Sequence, residues 1–374
     1  MGKSLGKIDA SNFDFTKDVL NLNGPWEFYF EKFLYPSDFK VANLPIPDGY
    51  SHGLRPWNTI ETRGKKPGSD GFATYRLRIQ LPENLPKMGI RIPFQITSFR
   101  IIVNKKEEVL SGIPGRNSAN TIPCREGRIV YFQPDSQELE IILHVANYYF
   151  YRGGLRGFIH IGSKEVLEKK QNRGLVLDLI MAGIGISIWL YHLFLFLQRP
   201  EERSILYFLI LSGSFIPRYF LLDERPIFLL TEDFAFDYEI RFLQSLHVLT
   251  PSLLLLFMHS IFPEFIKIRT VQIFFLSILL YFGSWIFPSQ VFTKVFVIYA
   301  TCASVAVLFP VGFVLFQAIK RKIKAAFFQG LGIFLFVILL LFAFLGVLKA
   351  EESGFLALLS FTILSLFQAL FLSA

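Results

Sequence analysis

The chain has 374 residues, 52% of them apolar, and 43 are Phe. A water-soluble enzyme of this length must keep its surface polar, so this composition points to a part that faces lipid. Charge is split unevenly, with 25 Lys+Arg against 18 Asp+Glu up to Arg173 and 13 against 12 beyond it, which marks a domain boundary there. Apart from Lys65-Lys66 and Lys105-Lys106 the basic residues are scattered, and no DNA or RNA motif accompanies them. That argues against nucleic acid and for anionic lipid or an acidic ligand.

The N-terminus, Met1-Gly2-Lys3-Ser4-Leu5-Gly6-Lys7, leads into no apolar stretch, so no signal peptide is expected. The first half then reads with a period of two. In 74–80, Tyr75, Leu77 and Ile79 alternate with Thr74, Arg76 and Arg78; in 138–147, Leu139, Ile141, Leu143 and Val145 share a face. Further strands are expected at 26–30, 89–95, 98–104, 128–132 and 157–162, with Trp26 and Tyr75 in the core. Turn clusters punctuate them, such as Pro45-Ile46-Pro47-Asp48-Gly49. No strand–helix alternation interrupts the series, so an antiparallel sandwich of jelly-roll type is expected over 1–165. Cys124 and Cys302 lie in different halves, and no disulfide is expected.

From Gly174 the chain supplies apolar runs long enough for a bilayer core of about 30 Å. Seven spans are expected, at 174–197, 205–222, 240–262, 271–287, 291–318, 325–348 and 355–374; the second is short and carries Arg218. Orientation follows from Lys and Arg in the links. Those after spans one, three and five hold eight (Arg199, Arg203, Lys267, Arg269, Lys320, Arg321, Lys322, Lys324). Those after spans two, four and six hold five (Arg218, Arg225, Arg241, Lys294, Lys349). The first set is expected in the cytoplasm, which places the N-terminal domain outside and the C-terminus inside. Lys164, Lys169, Lys170 and Arg173, just before span one, argue the other way.

Asp178, His192, His247 and His259 fall within the expected spans. An ionisable group in a membrane is costly and invites a functional reading. Interhelical hydrogen bonding is the plainer account, because no metal or catalytic spacing joins the four. The sequence holds no HExxH, no paired intramembrane Asp and no Gly-x-Ser-x-Gly, so neither an enzyme nor a cofactor or metal site is expected.

Particular residues carry a resemblance. Leu22-Asn23-Gly24-Pro25-Trp26-Glu27-Phe28 and Gly71-Phe72-Ala73-Thr74-Tyr75-Arg76-Leu77 resemble the opening strands of galactose-binding-like jelly rolls. Ile101-Ile102-Val103-Asn104 resembles their hairpin, although Lys105 stands where Gly is usual. Val145-Ala146-Asn147 with Arg152-Gly153-Gly154-Leu155 resembles their late strand and loop. In the second half, Leu190-Tyr191-His192-Leu193-Phe194 with Arg203-Ser204-Ile205-Leu206-Tyr207, and later Gln368-Ala369-Leu370, look like the spans of the bacterial seven-transmembrane receptors with diverse intracellular signalling modules. The resemblance covers almost the whole chain. It implies an all-β jelly roll followed by an all-α bundle of seven transmembrane helices, 174–374, in a bacterial cell membrane.

It also implies a sensor that binds a small-molecule or saccharide ligand outside and shifts the helices between two arrangements. In such jelly rolls sugars meet exposed aromatics, Arg and Asn, which here selects Trp57, Tyr148, Tyr149, Tyr151, Arg152 and Arg156. A loop packed on the sandwich edge or on the membrane is the competing account of the tyrosines. The carbohydrate rests on fold analogy alone. Such receptors continue into a kinase, cyclase or phosphatase module, whereas this sequence stops at Ala374. A fragment, a split gene or a receptor working through a separate cytoplasmic signalling protein is therefore expected. A scaffold without a ligand, and a transporter or membrane-embedded enzyme, are the competing functions.

Overall fold

Alternating apolar side chains build the first half of the chain. The structure is a computed structural model that describes residues 5–41, 43–53, 55–62, 64–104, 107–155, 157–231, 235–345 and 359–368. It divides into two compact units, Met1–Arg173 and Gly174–Ala374.

The first unit has eleven strands among the described residues: β1 (Lys7–Asp9), β2 (Leu20–Asn21), β3 (Pro25–Phe30), β4 (Gly49–His52), β5 (Gly71–Gln80), β6 (Met88–Ile92), β7 (Ser98–Val103), β8 (Glu107–Ser111), β9 (Arg128–Phe132), β10 (Glu138–Asn147) and β11 (His160–Ser163). A large sheet runs β4-β3-β5-β10-β7-β8 with β1 parallel to one end of β5, and a small sheet runs β2-β11-β6-β9. The register of β5 on β10 sets Tyr75 against Leu143, Leu77 against Ile141 and Ile79 against Leu139. Those pairs meet Ile90, Val130, Phe132 and Ile161 of the small sheet in one core, which makes the unit a two-sheet sandwich. Trp26 and Tyr75 are fully buried there, and Trp26 Nε1 donates to Leu22 O at 2.9 Å.

All seven strands expected from the sequence are present with ends shifted by a few residues. β1, β2, β4 and β8 are additional.

Residues 31–41 form a strap over the outer face of the large sheet. Thr74 Oγ1 donates to Lys32 O at 2.7 Å and accepts from Leu34 N at 3.0 Å. His144 Nε2 meets Leu34 O at 2.8 Å, and Phe33 packs on Phe72. Burial holds the His144 imidazole down to about 4, so it is neutral at physiological pH.

The second unit is helical: α1 (Lys164–Gln198), α2 (Arg203–Gly213), α3 (Ile216–Leu221), α4 (Phe236–Ile261), α5 (Ile268–Gly283), α6 (Ser289–Lys320), α7 (Lys324–Leu345) and α8 (Leu359–Gln368). The boundary between the units falls within α1. Five stretches are long and apolar enough to cross a membrane: Lys164–Gln198, Arg203–Leu221, Phe236–Ile261, Ile268–Ile286 and Ser289–Lys320. Ala326–Phe342 and Leu359–Gln368 are shorter apolar helices. Each of the seven expected spans therefore contains a helix, and five reach spanning length among the described residues. The second expected span is broken between α2 and α3, just ahead of Pro217, whose ring nitrogen cannot donate to the helix ladder. Inside the unit, Phe208, Phe215, Phe257, Phe336 and Phe361 share one core, where Phe215 stacks on Phe361 with centroids 4.7 Å apart.

Candidate functional site

One end of the sandwich gathers most of the residues singled out for ligand contact. β10 ends on Asn147, whose side chain fixes the turn that follows: Nδ2 donates to Ser69 O at 2.9 Å and to Phe150 O at 2.8 Å, and Oδ1 accepts from Phe150 N. The next residues form a rim. Tyr148 and Tyr149 are half-buried, and their hydroxyls donate to Arg116 O at 2.7 Å and Ser118 O at 3.0 Å, which ties the loop to residues 113–122. Burial, with Asp70 and Glu31 nearby, pushes the Tyr148 phenol up, so it remains a hydroxyl at neutral pH. Tyr151 packs on Phe150, and the Arg152 guanidinium lies 5.1 Å from the Tyr151 ring centre.

Trp57 departs from the expectation. It is fully buried, its Nε1 donates to Gly68 O at 2.9 Å, and its backbone N donates to Gly153 O at 2.9 Å. A Cβ at Gly153 would come within 2.0 Å of Trp57 Nε1. The indole is therefore the peg on which the 148–155 loop is built, and it offers no face to a ligand. Arg156 lies outside the described residues, as do Lys105, Lys106, Glu232, Asp233 and Lys349. The rim thus brings together Tyr148, Tyr149, Tyr151 and Arg152. It presents phenol oxygens as acceptors and one guanidinium as donor. Such a set offers hydrogen-bonding groups and carries no nucleophile–base pair.

The ionisable groups of the helical unit are dispersed. Asp178 Oδ2 accepts from Glu224 N at 2.9 Å. His192 Nδ1 meets Ile188 O at 2.8 Å one turn back, and its ring lies on Phe208. His247 lies edge-on to Phe296, and His259 Nδ1 meets Ile266 O at 2.6 Å. The expectation of bonds between helices thus gives way to local backbone bonds for His192 and His259.

Sequence reasoning missed the most buried ion pair among the described residues of this unit. Arg225 Nη2 donates to Glu239 Oε1 at 2.6 Å, with the two side chains 2% and 0% exposed. Arg218, also buried, donates to Thr250 Oγ1 at 3.0 Å and lies over Phe215. Counting these arginines as loop charges hid the contacts; the signal was Arg218 inside an apolar run. Among the described residues no group of three His, Cys, Asp or Glu is placed to hold a metal ion.

The second unit matches a family model described as 7TM diverse intracellular signalling over residues 175–374. No curated protein matches the chain. Solved structures similar to part of it include β-glucuronidase from Ruminococcus gnavus in complex with N1-substituted uronic isofagomine, at 13% identity and TM-score 0.29, over 38% of this chain and 29% of that one. The same organism's enzyme in complex with uronic deoxynojirimycin matches at 13% identity and TM-score 0.30, over 42% and 30%. The chain thus spans less than a third of the length of these enzymes, and at such TM-scores the likeness supports no inference.

Proposed function

The chain belongs to the 7TM diverse intracellular signalling family, and from that premise we propose that it is a membrane sensor. Its sandwich, read as a jelly roll, binds a small polar ligand of saccharide type outside the cytoplasm, and binding biases the helices between two arrangements. The observation that carries this reading is the pairing of a family-matched multi-pass helical unit with a sandwich bearing a polar and aromatic rim. Differential affinity for two helical states is the physical requirement for signalling. The helices lie in a bacterial cell membrane, and the tally of basic residues in the links supports a cytoplasmic side for Ala374, where a signalling module or protein receives the output.

The test is a thermal-shift screen of the full chain in lipid nanodiscs against a saccharide library. A rise in melting temperature with at least one saccharide is expected. No shift across the library would favour a scaffold that docks a signalling protein without a ligand. For orientation, a reporter fused after Ala374 is expected to be active in the cytoplasm, and activity only outside it would invert the scheme.

A further inference from the structure

A cleft of about 780 Å³ opens on the outer face of the large sheet and shares no lining residue with the 148–155 rim. Its volume is in the range of small-molecule sites, about 300–1,000 Å³. The strap covers the neighbouring half of this face and ends at the cleft, where Pro36 and Phe39 form an apolar wall. The floor comes from the strand period. With Tyr75, Leu77 and Ile79 in the core, Arg76 and Arg78 point outward; the register sets Glu140 opposite Arg78, and Glu27 opposite Arg76.

The floor is preorganised. Arg76 donates through Nε and Nη2 to Glu140 Oε1 at 2.9 and 2.7 Å and through Nη1 to Glu27 Oε2 at 3.1 Å, and its guanidinium lies 4.0 Å from the Phe39 ring centre. Each nitrogen of the Arg76 guanidinium is thus engaged with a carboxylate, and the side chain serves to hold Glu140. The Glu140 backbone is fixed as well, since its N donates to Asn104 Oδ1 at 3.1 Å. Glu140 Oε2 makes none of these contacts and remains an acceptor. Arg78 reaches Glu27 Oε1 only at 3.4 Å, and its Nε is without a partner, so it retains donors. Exposed Lys40 and Glu138 add one cation and one carboxylate to the lining.

The sum of these charges selects the ligand. Among the lining side chains Lys40, Arg76 and Arg78 balance Asp135, Glu138 and Glu140, and Glu27, paired with Arg76 and Arg78, adds a fourth carboxylate. A phosphate or sulfate would meet three carboxylates, and a bare cation would meet three cations. A neutral molecule with closely spaced hydroxyls satisfies donors and acceptors together, and its apolar ring face suits Phe39 and Pro36. We infer that this cleft is a binding site for a neutral polyhydroxylated ligand, a mono- or disaccharide held between Arg78 and Glu140. The inference rests on the reading of the sandwich as the ligand-binding half and adds a site separate from the rim.

The test uses the full chain in nanodiscs and isothermal titration with glucose, galactose, N-acetylglucosamine, maltose and cellobiose, with glucuronate and glucosamine as charged counterparts. At least one neutral sugar is expected to bind more tightly than either charged one. Glu140→Gln is expected to weaken that binding at least tenfold. The double variant Lys40→Ala/Glu138→Ala, which alters only exposed side chains, is expected to weaken it severalfold and keeps the test valid should Glu140→Gln fail to fold. Wild-type affinity in both cleft variants, with binding abolished by Arg152→Ala, would overturn the cleft and leave the sensor reading standing. Preference for glucuronate or glucosamine would overturn the neutral class. Absence of binding by every sugar would remove the saccharide reading of the sandwich together with the cleft.

Discussion

Each unit neutralises a buried arginine with carboxylate, and the two do so in opposite surroundings. On the sandwich, Arg76 is shared between Glu27 and Glu140, with side chains 11%, 9% and 15% exposed at the edge of an open cleft. In the helical unit, Arg225 and Glu239 meet at 2.6 Å with side chains 2% and 0% exposed. A charge at a wet edge can be rehydrated when its partner is lost. A charge sealed among helices cannot, so the same deletion costs much more there. The sheet network is thus suited to meeting a ligand, while the helical pair fixes the connection between α3 and α4.

The largest effect is expected from breaking the sealed pair. Glu239→Gln removes the carboxylate that meets Arg225 at 2.6 Å and should destabilise the helical unit by about 3–5 kcal/mol, read as a lower melting temperature in detergent. Adding Arg225→Met should restore part of that loss, because it removes the buried cation that Glu239 faces. A loss no greater than that of Arg76→Met would break the contrast between the units.

Trp57→Ala comes next, at about 3–5 kcal/mol confined to the sandwich, because it empties the peg of the 148–155 loop. Arg76→Met should cost about 1–3 kcal/mol, with water reaching the two glutamates. Gly153→Ala should cost a similar amount, about 1–3 kcal/mol, since its methyl collides with Trp57 and with Ser69 O. Chemical denaturation followed by Trp fluorescence ranks these three.

A pH dependence of the sandwich follows. Burial lowers His144 to about 4, and burial with the charges of Lys170 and Arg91 lowers His160 to about 3, from an ordinary value of 6.5. Between the lowered and ordinary values the unfolded chain binds more protons than the folded one. Their contribution is complete above pH 6.5 and is lost as pH falls towards 4. The sandwich melting temperature should decline through that window, and His144→Asn should flatten the decline; an unchanged slope would remove His144 from the account.

The long strands were legible because their pattern is periodic. β5 and β10 each run ten residues with every second side chain apolar. β1, β2 and β4 are two to four residues long and carry no such signal, and β8 opens on Glu107-Glu108. Hydropathy located helices but not the break before Pro217. Composition places Tyr148, Tyr149, Tyr151 and Trp57 alike in loops, and only tertiary packing distinguishes the three part-exposed tyrosines from the buried Trp57. The cleft escaped because it joins residues far apart in sequence: Arg78 and Glu140 become neighbours only through strand register.

The central claim is that ligand binding on the sandwich changes the helices. Hydrogen–deuterium exchange of the full chain in nanodiscs, with and without the saccharide giving the largest thermal shift, tests it most directly. The account predicts altered protection in the helical unit, above all at residues 213–225 where α2, α3 and the following turn meet, as well as on the sandwich. Protection that changes on the sandwich alone would contradict it.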